Sequence, residues 1–204
     1  MTVSQFAFPT EVHFGCGAVG QLGASLSAMG WQRPLFVTDQ TVKGLPFFKG
    51  LVEQSNAAGA IAGVFDGVAG NPTTNQVVAG VDQFHQHGAD GLVLIGGGAA
   101  LDVGKAIALM VHHPGELAEY EDGRDDARAI DQPIPQMIAI PTTAGTGSEV
   151  GRAAVISDDE SHVKQIVFHP RLLPACVLAD PELTAGLPPA VTAATGFDAL
   201  THNV

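Results

Sequence analysis

The sequence predicts an α/β fold in which a parallel sheet is covered by helices on both faces. Three observations lead to this expectation. Short apolar runs alternate with stretches whose apolar residues recur at helical spacing. Hydrophobic residues make up 46% of the 204 residues and charged residues 15%, which is typical of a compact domain. The run GLVLI at 91–95 is uniformly apolar, as expected of a strand that is buried on both faces.

Apolar runs in the first part of the chain are expected to be strands of this sheet: 34–39, 60–65, 91–95 and 135–141. The stretches between them have the length and spacing of helices: 41–58, 71–88 and 99–111. The segment 71–88, for example, starts with Asn-Pro-Thr-Thr and continues with valines and Phe84 at helical spacing. The charged segment 119–133 is expected to be a surface loop. Strands that alternate with helices in this way predict parallel pairing.

The alternation changes after residue 150. We expect strands at 152–157, 162–168 and 174–180, with a hairpin formed by the first two. A proline-punctuated linker follows, and a helix begins near Ala190 and reaches Val204 without a stop signal. We therefore expect an α/β domain over residues 1–185 and the start of a second domain over 186–204, and we take the chain to be a fragment.

Charge and composition exclude several classes of partner. The formal net charge is −12, which disfavours nucleic acids and anionic membranes. Cys16 and Cys176 are too few for a disulfide framework. No signal peptide and no apolar run of about 18 residues is present, so we expect a cytoplasmic protein. The segment FAFPTEVHF at 6–14 suits an exposed edge strand, which could pair across a homodimer.

Three consecutive glycines follow the buried strand 91–95 and precede a helix. Glycine allows a ligand to approach the backbone, and the first N–H groups of the helix favour an anion. Gly96-Gly97-Gly98 is therefore predicted to bind a diphosphate, the alternative being a tight turn without a ligand. Asp102 and Lys105 follow one turn apart on the helix. The Lys-Ser/Thr ending of a P-loop is lacking, which disfavours ATP or GTP hydrolysis.

A literal G-x-G-x-x-G match occurs earlier, at Gly15-Cys-Gly17-Ala-Val-Gly20, about twenty residues before Asp39. Its preceding segment contains a proline and alternating polar residues, whereas a first dinucleotide-binding strand is central and buried. We therefore favour the later glycines as the phosphate site.

Two further patterns could bind ligands. The loop IPTTAGTGSEV at 140–150 follows a strand and offers hydroxyls and bare backbone to a ribose, carboxamide or phosphate, or caps itself locally. Asp198 and His202 lie four residues apart on one helix face, as a metal pair or as an ordinary Asp–His pair. The histidine pairs 85/87 and 112/113 do not share a helix face and are expected to be solvated.

Taken together, these segments resemble the iron-dependent (group III) alcohol dehydrogenases. The matching segments, in the family's order, are GGGAALDVGKAIA (96–108), IPTTAGTGSEV (140–150), ADPELTAGLPP (179–189) and ATGFDALTHNV (194–204), with VTD (37–39) and NPTT (71–74). The resemblance implies a Rossmann-like nicotinamide-binding domain followed by an all-helical domain, with catalysis between them.

The resemblance also implies site residues. The pyrophosphate would be held by Gly97, Gly98 and the amide of Ala99, and the rest of the cofactor site would be lined by Asp102, Asn71, Thr142, Thr143, Thr146 and Lys164. Asp198 and His202 would be two of four ligands to a divalent metal, Fe²⁺ first and Zn²⁺ as the alternative, with two histidines beyond Val204. Ala99 departs from the family's usual serine and Gly151 from its usual threonine, which puts one hydroxyl contact in doubt at each position.

The implied activity is hydride transfer between a short-chain alcohol or aldehyde and a nicotinamide cofactor. Asp39 ends a strand on the adenosine side, where a carboxylate accepts from a ribose 2′-OH and repels a 2′-phosphate, so we predict NAD rather than NADP. The alternatives are a related enzyme, such as a glycerol dehydrogenase, a dehydroquinate synthase or a maleylacetate reductase, or a non-catalytic nucleotide-binding module if the chain is complete.

Overall fold

The computed structural model describes residues 10–204. Its strands are β1 (Glu11–Phe14), β2 (Pro34–Asp39), β3 (Gly63–Val68), β4 (Gly91–Gly96), β5 (Met137–Pro141), β6 (Ala153–Ser157), β7 (Lys164–Phe168) and β8 (Cys176–Ala179). Its helices are α1 (Leu22–Met29), α2 (Gln40–Lys43), α3 (Pro46–Ala57), α4 (Thr74–His87), α5 (Gly98–Met110) and α6 (Pro189–His202). No helix among these is both long and apolar enough to span a bilayer.

Six of the strands form one sheet in the order β1-β8-β5-β4-β2-β3, and every pair in it is parallel. The predicted parallel α/β fold is therefore confirmed. β4 and β5 lie at the centre and are buried along their whole length, as the uniformly apolar sequence of β4 predicts. The predicted hairpin is also confirmed, because β6 and β7 pair antiparallel in a sheet of their own.

Helices cover both faces of the sheet because successive residues of a strand point to opposite sides. Leu92 and Leu94 of β4 pack in one apolar cluster with residues of α4 and α5. Val93 and Ile95 pack in a second cluster with residues of α1 and α3. The carboxyl ends of all six parallel strands meet at one edge of the sheet, which is where such folds bind ligands.

The structure corrects several predicted boundaries. The helix expected at 41–58 is two helices, because Leu45 is extended and Pro46 starts a new helix at its first position. The strand expected at 60–65 occupies Gly63–Val68 instead. The edge strand is confirmed over Glu11–Phe14, and the earlier part of the expected strand, 6–9, lies outside the described residues.

One histidine prediction was wrong. His113 was expected to be solvated, but it is buried with 3% of its surface exposed. Its Nδ1 lies 2.7 Å from the carbonyl oxygen of Leu109, and its Nε2 accepts from the amide of Gln132 at 3.1 Å. His113 therefore links the end of α5 to the following loop through both of its ring nitrogens.

Candidate functional site

A cleft of about 740 Å³ lies at the carboxyl ends of β2, β3, β4 and β5. It is lined by Asp39 to Val42, Asp66 to Gly70, Gly97 to Ala100, Thr142, Thr143, Thr146, Leu187, Pro188, Val191 and Thr195. The cleft therefore collects the glycine turn, the threonine-rich loop and the acid at the end of β2. Each of these was singled out in the sequence, and the strand order brings them together.

The glycine turn places the start of α5 at the cleft. Gly96 has φ of +149°, and a Cβ there would lie 2.7 Å from Cβ of Ala100, so only glycine fits without strain. Gly97 is extended and precedes the helix, and among residues 10–204 no side chain caps this terminus. The first N–H groups of this 13-residue helix are thus available to bind a ligand or water. The positive end of the helix dipole lies at the same place and favours an anion.

Gly97 and Gly98 also allow a second segment to approach closely. A Cβ on Gly97 would lie 3.2 Å from Oγ1 of Thr143, and a Cβ on Gly98 would lie 2.8 Å from Cγ2 of Thr146. Part of the space left by these glycines is therefore occupied by the protein itself. We call residues 142–151 the threonine loop.

The threonine loop is fastened to α5 by a buried lysine. Nζ of Lys105 donates to the carbonyl oxygens of Ser148 at 2.5 Å, Gly151 at 3.0 Å and Ala153 at 3.0 Å, and to the Ser148 hydroxyl at 2.9 Å. Lys105 has no exposed surface. Burial lowers its pKa to about 8, against the opposing effect of the Asp102 and Glu149 carboxylates.

Asp102 belongs to the same network and does not line the cleft. One of its carboxylate oxygens accepts from the Ser148 hydroxyl at 2.6 Å, and the other accepts from the amide of Val155 at 3.2 Å. Burial raises the pKa of the Asp102 carboxyl above its ordinary value, although the Ser148 hydrogen bond acts in the opposite direction. In this structure Asp102 joins α5 to the threonine loop and to β6.

Asp39 lies at the opposite side of the cleft, where it ends β2. Its Oδ1 accepts from the amide of Val42 at 2.8 Å and so caps α2. A Cβ on Gly96 would lie 3.8 Å from Oδ2, so this second oxygen is directed towards the glycine turn. Nearby, Lys43 and Asp66 form an ion pair of 2.8 Å, and Asp66 lines the cleft. This pair lowers the pKa of the Asp66 carboxyl.

Asn71 and Lys164 lie outside the cleft lining. Asn71 is exposed, and its carbonyl oxygen accepts from the side chain of Gln76 at 3.2 Å. Lys164 is exposed at the start of β7, opposite Ser157. The amide of Ser157 donates to the carbonyl of Pro72, so the hairpin end that carries Lys164 lies next to the segment that carries Asn71.

Asp198 and His202 lie one turn apart on α6, with Oδ1 and Nε2 separated by 3.5 Å. The Asp198 side chain is 43% exposed and that of His202 is 59% exposed. Asp198 also approaches the threonine loop, because a Cβ on Gly145 would lie 3.1 Å from its Oδ2. Within residues 10–204, no group of three or more His, Cys, Asp or Glu side chains is placed to hold a metal.

A second pocket of about 800 Å³ adjoins the cleft and shares Thr41, Val42, Thr142, Leu187 and Pro188 with it. Further apolar side chains line its walls: Val19, Leu45, Phe47 and Leu183. Gly17 and Gly20 of the early glycine motif line this second pocket and not the cleft, so that motif is separate from the start of α5.

Sequence reasoning missed this pocket, the Lys43–Asp66 pair and the role of Lys105. A signal for Lys105 was present, because a single lysine interrupts a run of α5 residues that is otherwise apolar. A lysine in a helix that is buried all round needs several oxygen partners, and the sequence alone does not say where they are.

Comparison with known proteins identifies the family. The sequence model of the family described as iron-containing alcohol dehydrogenase matches residues 9–181. The chain belongs to this family. It is 42% identical over 199 residues to 4-hydroxybutyrate dehydrogenase of Cupriavidus necator, a match that covers 96% of this chain and 50% of that protein.

Solved structures of the iron-containing alcohol dehydrogenase family have the same fold. A 1,3-propanediol oxidoreductase superposes with a TM-score of 0.90 at 35% identity, covering 98% of this chain and 52% of that one. The sulfoacetaldehyde reductase of Bifidobacterium kashiwanohense in complex with NAD⁺ superposes with a TM-score of 0.89 at 31% identity, covering 97% of this chain and 51% of that one. The chain thus spans about half the length of the relatives that it matches.

Proposed function

We propose that this chain is the cofactor-binding part of an NAD-dependent, metal-dependent oxidoreductase that interconverts short-chain alcohols and aldehydes. In this proposal residues 1–185 bind the dinucleotide and residues 186–204 begin a helical metal-binding domain. The observation that carries the proposal is the uncapped start of α5, which opens into a cleft between Asp39 and the threonine loop. Membership of the iron-containing alcohol dehydrogenase family supports it.

The pyrophosphate would bind at the start of α5. Gly97, Gly98 and Ala99 line the cleft there, and their backbone offers N–H donors together with the helix dipole. Because Ala99 has no hydroxyl, binding at this position depends on the amide alone. Hydroxyls of Thr142, Thr143 and Thr146 line the same cleft and would hydrogen-bond the nicotinamide half of the cofactor.

The adenosine would extend towards Asp39 and the adjoining pocket. A carboxylate at the end of β2 accepts from the 2′-hydroxyl of a ribose and repels a 2′-phosphate. Beyond it, the apolar walls of the second pocket, with Val42 and Leu187 shared between the two spaces, suit the flat face of a purine. This arrangement favours NAD over NADP.

Asp198 and His202 fit one part of a metal site. An aspartate oxygen and an imidazole nitrogen are ligands that Fe²⁺ and Zn²⁺ accept. Val191, Thr195, Asp198 and His202 follow one another at helical spacing, and the first two line the cleft, so the pair continues the same face of α6. The chemistry that a divalent ion supplies here is Lewis-acid polarisation of an alcohol or carbonyl oxygen.

Calorimetric titration with ADP, NAD and NADP tests the nucleotide assignment. We expect ADP and NAD to bind, and NADP to bind at least about tenfold more weakly, because of charge repulsion at Asp39. Asp39→Ser should reduce the difference between NAD and NADP, whereas Asp125→Ser, in an exposed loop, should leave it unchanged. A preference for NADP above about tenfold, or no binding of ADP, contradicts the proposal.

Metal content and activity of the complete gene product test the catalytic assignment. We expect about one iron or zinc per chain, and NAD-linked oxidation of short alcohols or diols that chelation abolishes and metal restores. Asp198→Ala and His202→Ala should each reduce both metal content and activity. NAD-linked activity that survives complete removal of metal would contradict a metal role for these two residues.

A further inference from the structure

We propose that Lys105 is a positioning residue that holds the threonine loop in the shape that binds the dinucleotide, and that it does so through its ammonium group. The inference rests on the proposed function for the identity of the ligand. The fastening of the loop by Lys105 rests on the geometry of α5 and the threonine loop alone.

The contacts of Lys105 are confined to one short stretch of chain. Its Nζ lies 2.5–3.0 Å from oxygens of Ser148, Gly151 and Ala153, which mark the end of the threonine loop and the start of β6. An ammonium has three N–H donors, and four oxygens lie within its reach, so every donor has an acceptor. A single buried charge therefore determines where the loop leaves the cleft and enters the hairpin.

A chain of contacts leads from Lys105 to the cleft. The amide of Ser148 donates to Oγ1 of Thr146 at 3.2 Å. Thr146 lines the cleft and approaches the backbone of Gly98, which starts α5. Asp102 accepts from the Ser148 hydroxyl at 2.6 Å and keeps that hydroxyl oriented so that its lone pair faces Nζ. A movement of Ser148 therefore moves a cleft-lining threonine.

The protonation state of Lys105 should decide whether this arrangement is kept. Burial lowers the pKa of Lys105 to about 8. Two carboxylates of the described chain act in the opposite direction, that of Asp102 on the same helix and that of Glu149 on the threonine loop. A neutral amine has two N–H donors and a lone pair, and the lone pair would face carbonyl oxygens. Deprotonation should therefore release the loop while the rest of the fold remains.

The experiment is a calorimetric titration of this chain with NAD and with ADP between pH 6.5 and pH 9.5. If only the charged form of Lys105 holds the binding shape, the Kd should stay level below pH 7 and rise roughly thirtyfold by pH 9.5. Lys105→Met should bind weakly at every pH, without this rise. Two controls should keep the wild-type pH profile: Lys49→Met, on the surface of α3, and Leu109→Ala, a packing change on α5.

A second measurement does not need the cofactor. In nuclear magnetic resonance titrations of the free wild-type chain, the amide signals of Thr146 and Ser148 should shift with the same midpoint as Nζ of Lys105. The two measurements separate the failure of the proposed function from the failure of the positioning role. Absence of nucleotide binding at every pH overturns the proposed function, but the loop signals of the free chain still test the role of Lys105. The positioning role is overturned if the loop signals do not follow Lys105, or if Lys105→Met binds nucleotide with the wild-type pH profile. Should Lys105→Met fail to fold, the wild-type titration decides.

Discussion

Gly98→Ala tests whether the threonine loop itself requires the glycines of the glycine turn. A Cβ at this position would lie 2.8 Å from Cγ2 and 2.9 Å from Oγ1 of Thr146, but 3.4 Å from its Cβ. The backbone of Gly98 starts α5, and its φ is not in the left-handed region, so alanine is compatible with the local conformation. The only obstacle within the described residues is therefore the outer part of one side chain.

The magnitude follows from these distances. Restoring ordinary contact requires a shift of the Thr146 side chain by about 0.6 Å, and the loop resists because Ser148 is held by both Lys105 and Asp102. Overpacking of this kind costs about 1–3 kcal/mol. Against this, alanine in place of glycine stabilises a helix by up to about 1 kcal/mol. We expect Gly98→Ala to lower the free energy of unfolding by about 1–2 kcal/mol.

A double-mutant cycle with Thr146→Ala isolates the steric effect, because that change removes both atoms closer than 3.0 Å. In the Thr146→Ala background, Gly98→Ala should become neutral or stabilising, so that its effect changes sign. Urea unfolding of the four proteins measures this. Gly50→Ala, in the middle of α3, is the matched control and should be stabilising, because a Cβ added there would have no neighbour within 4 Å. An equal loss of stability from Gly98→Ala in both backgrounds would show that the Thr146 side chain is not the obstacle.

Three further predictions follow from buried or paired groups. Between pH 8 and pH 10.5 the free energy of unfolding of the wild type should rise by up to about 3 kcal/mol more than that of Lys105→Met. The reason is that the Lys105 side chain keeps its proton in the unfolded chain and loses it in the folded chain over this range. Parallel pH curves for the two proteins would contradict this. In urea unfolding, His113→Ala should lower the free energy of unfolding by about 2–4 kcal/mol, because it leaves two backbone groups unpaired. His112→Ala, at the exposed neighbouring position, should lower it by less than about 0.5 kcal/mol. Equal losses would contradict the burial of His113. Asp66→Asn should free the Lys43 ammonium beside the cleft, and calorimetry should show NADP binding strengthened about three- to tenfold relative to NAD binding. An unchanged ratio of the two affinities would place the Lys43–Asp66 pair away from the ribose.

If Lys105 positions the threonine loop, stability and nucleotide binding should respond to pH in opposite directions. Above pH 8 the folded chain should gain stability from the loss of a buried charge, while the threonine loop should lose the ammonium that holds it. A residue that acted on binding only through the stability of the fold could not weaken nucleotide binding while stability rises. The two pH profiles therefore provide a check on each other.

The parallel sheet and the glycine turn could be predicted from the sequence because both leave local signals. Burial on both faces gives β4 its uniform apolar run, whereas burial on one face would give an alternating apolar and polar pattern. A strand that runs directly into glycines and then into a helix has only a few backbone conformations, so the position of the glycine turn could be inferred without knowing the strand order. The antiparallel hairpin of β6 and β7 was predictable for the same reason, because its two strands are neighbours in the chain.

The partners of individual side chains were decided only by the tertiary structure. The sequence places Asp102 and Lys105 one turn apart, but their hydrogen-bond partners lie more than 40 residues further along the chain. Both side chains bond the Ser148 hydroxyl and do not line the cleft. His113 is buried for a similar reason, since the amide that it accepts from belongs to Gln132. Local periodicity determines which elements form, whereas the burial and pairing of a polar side chain depend on which distant segment packs against it.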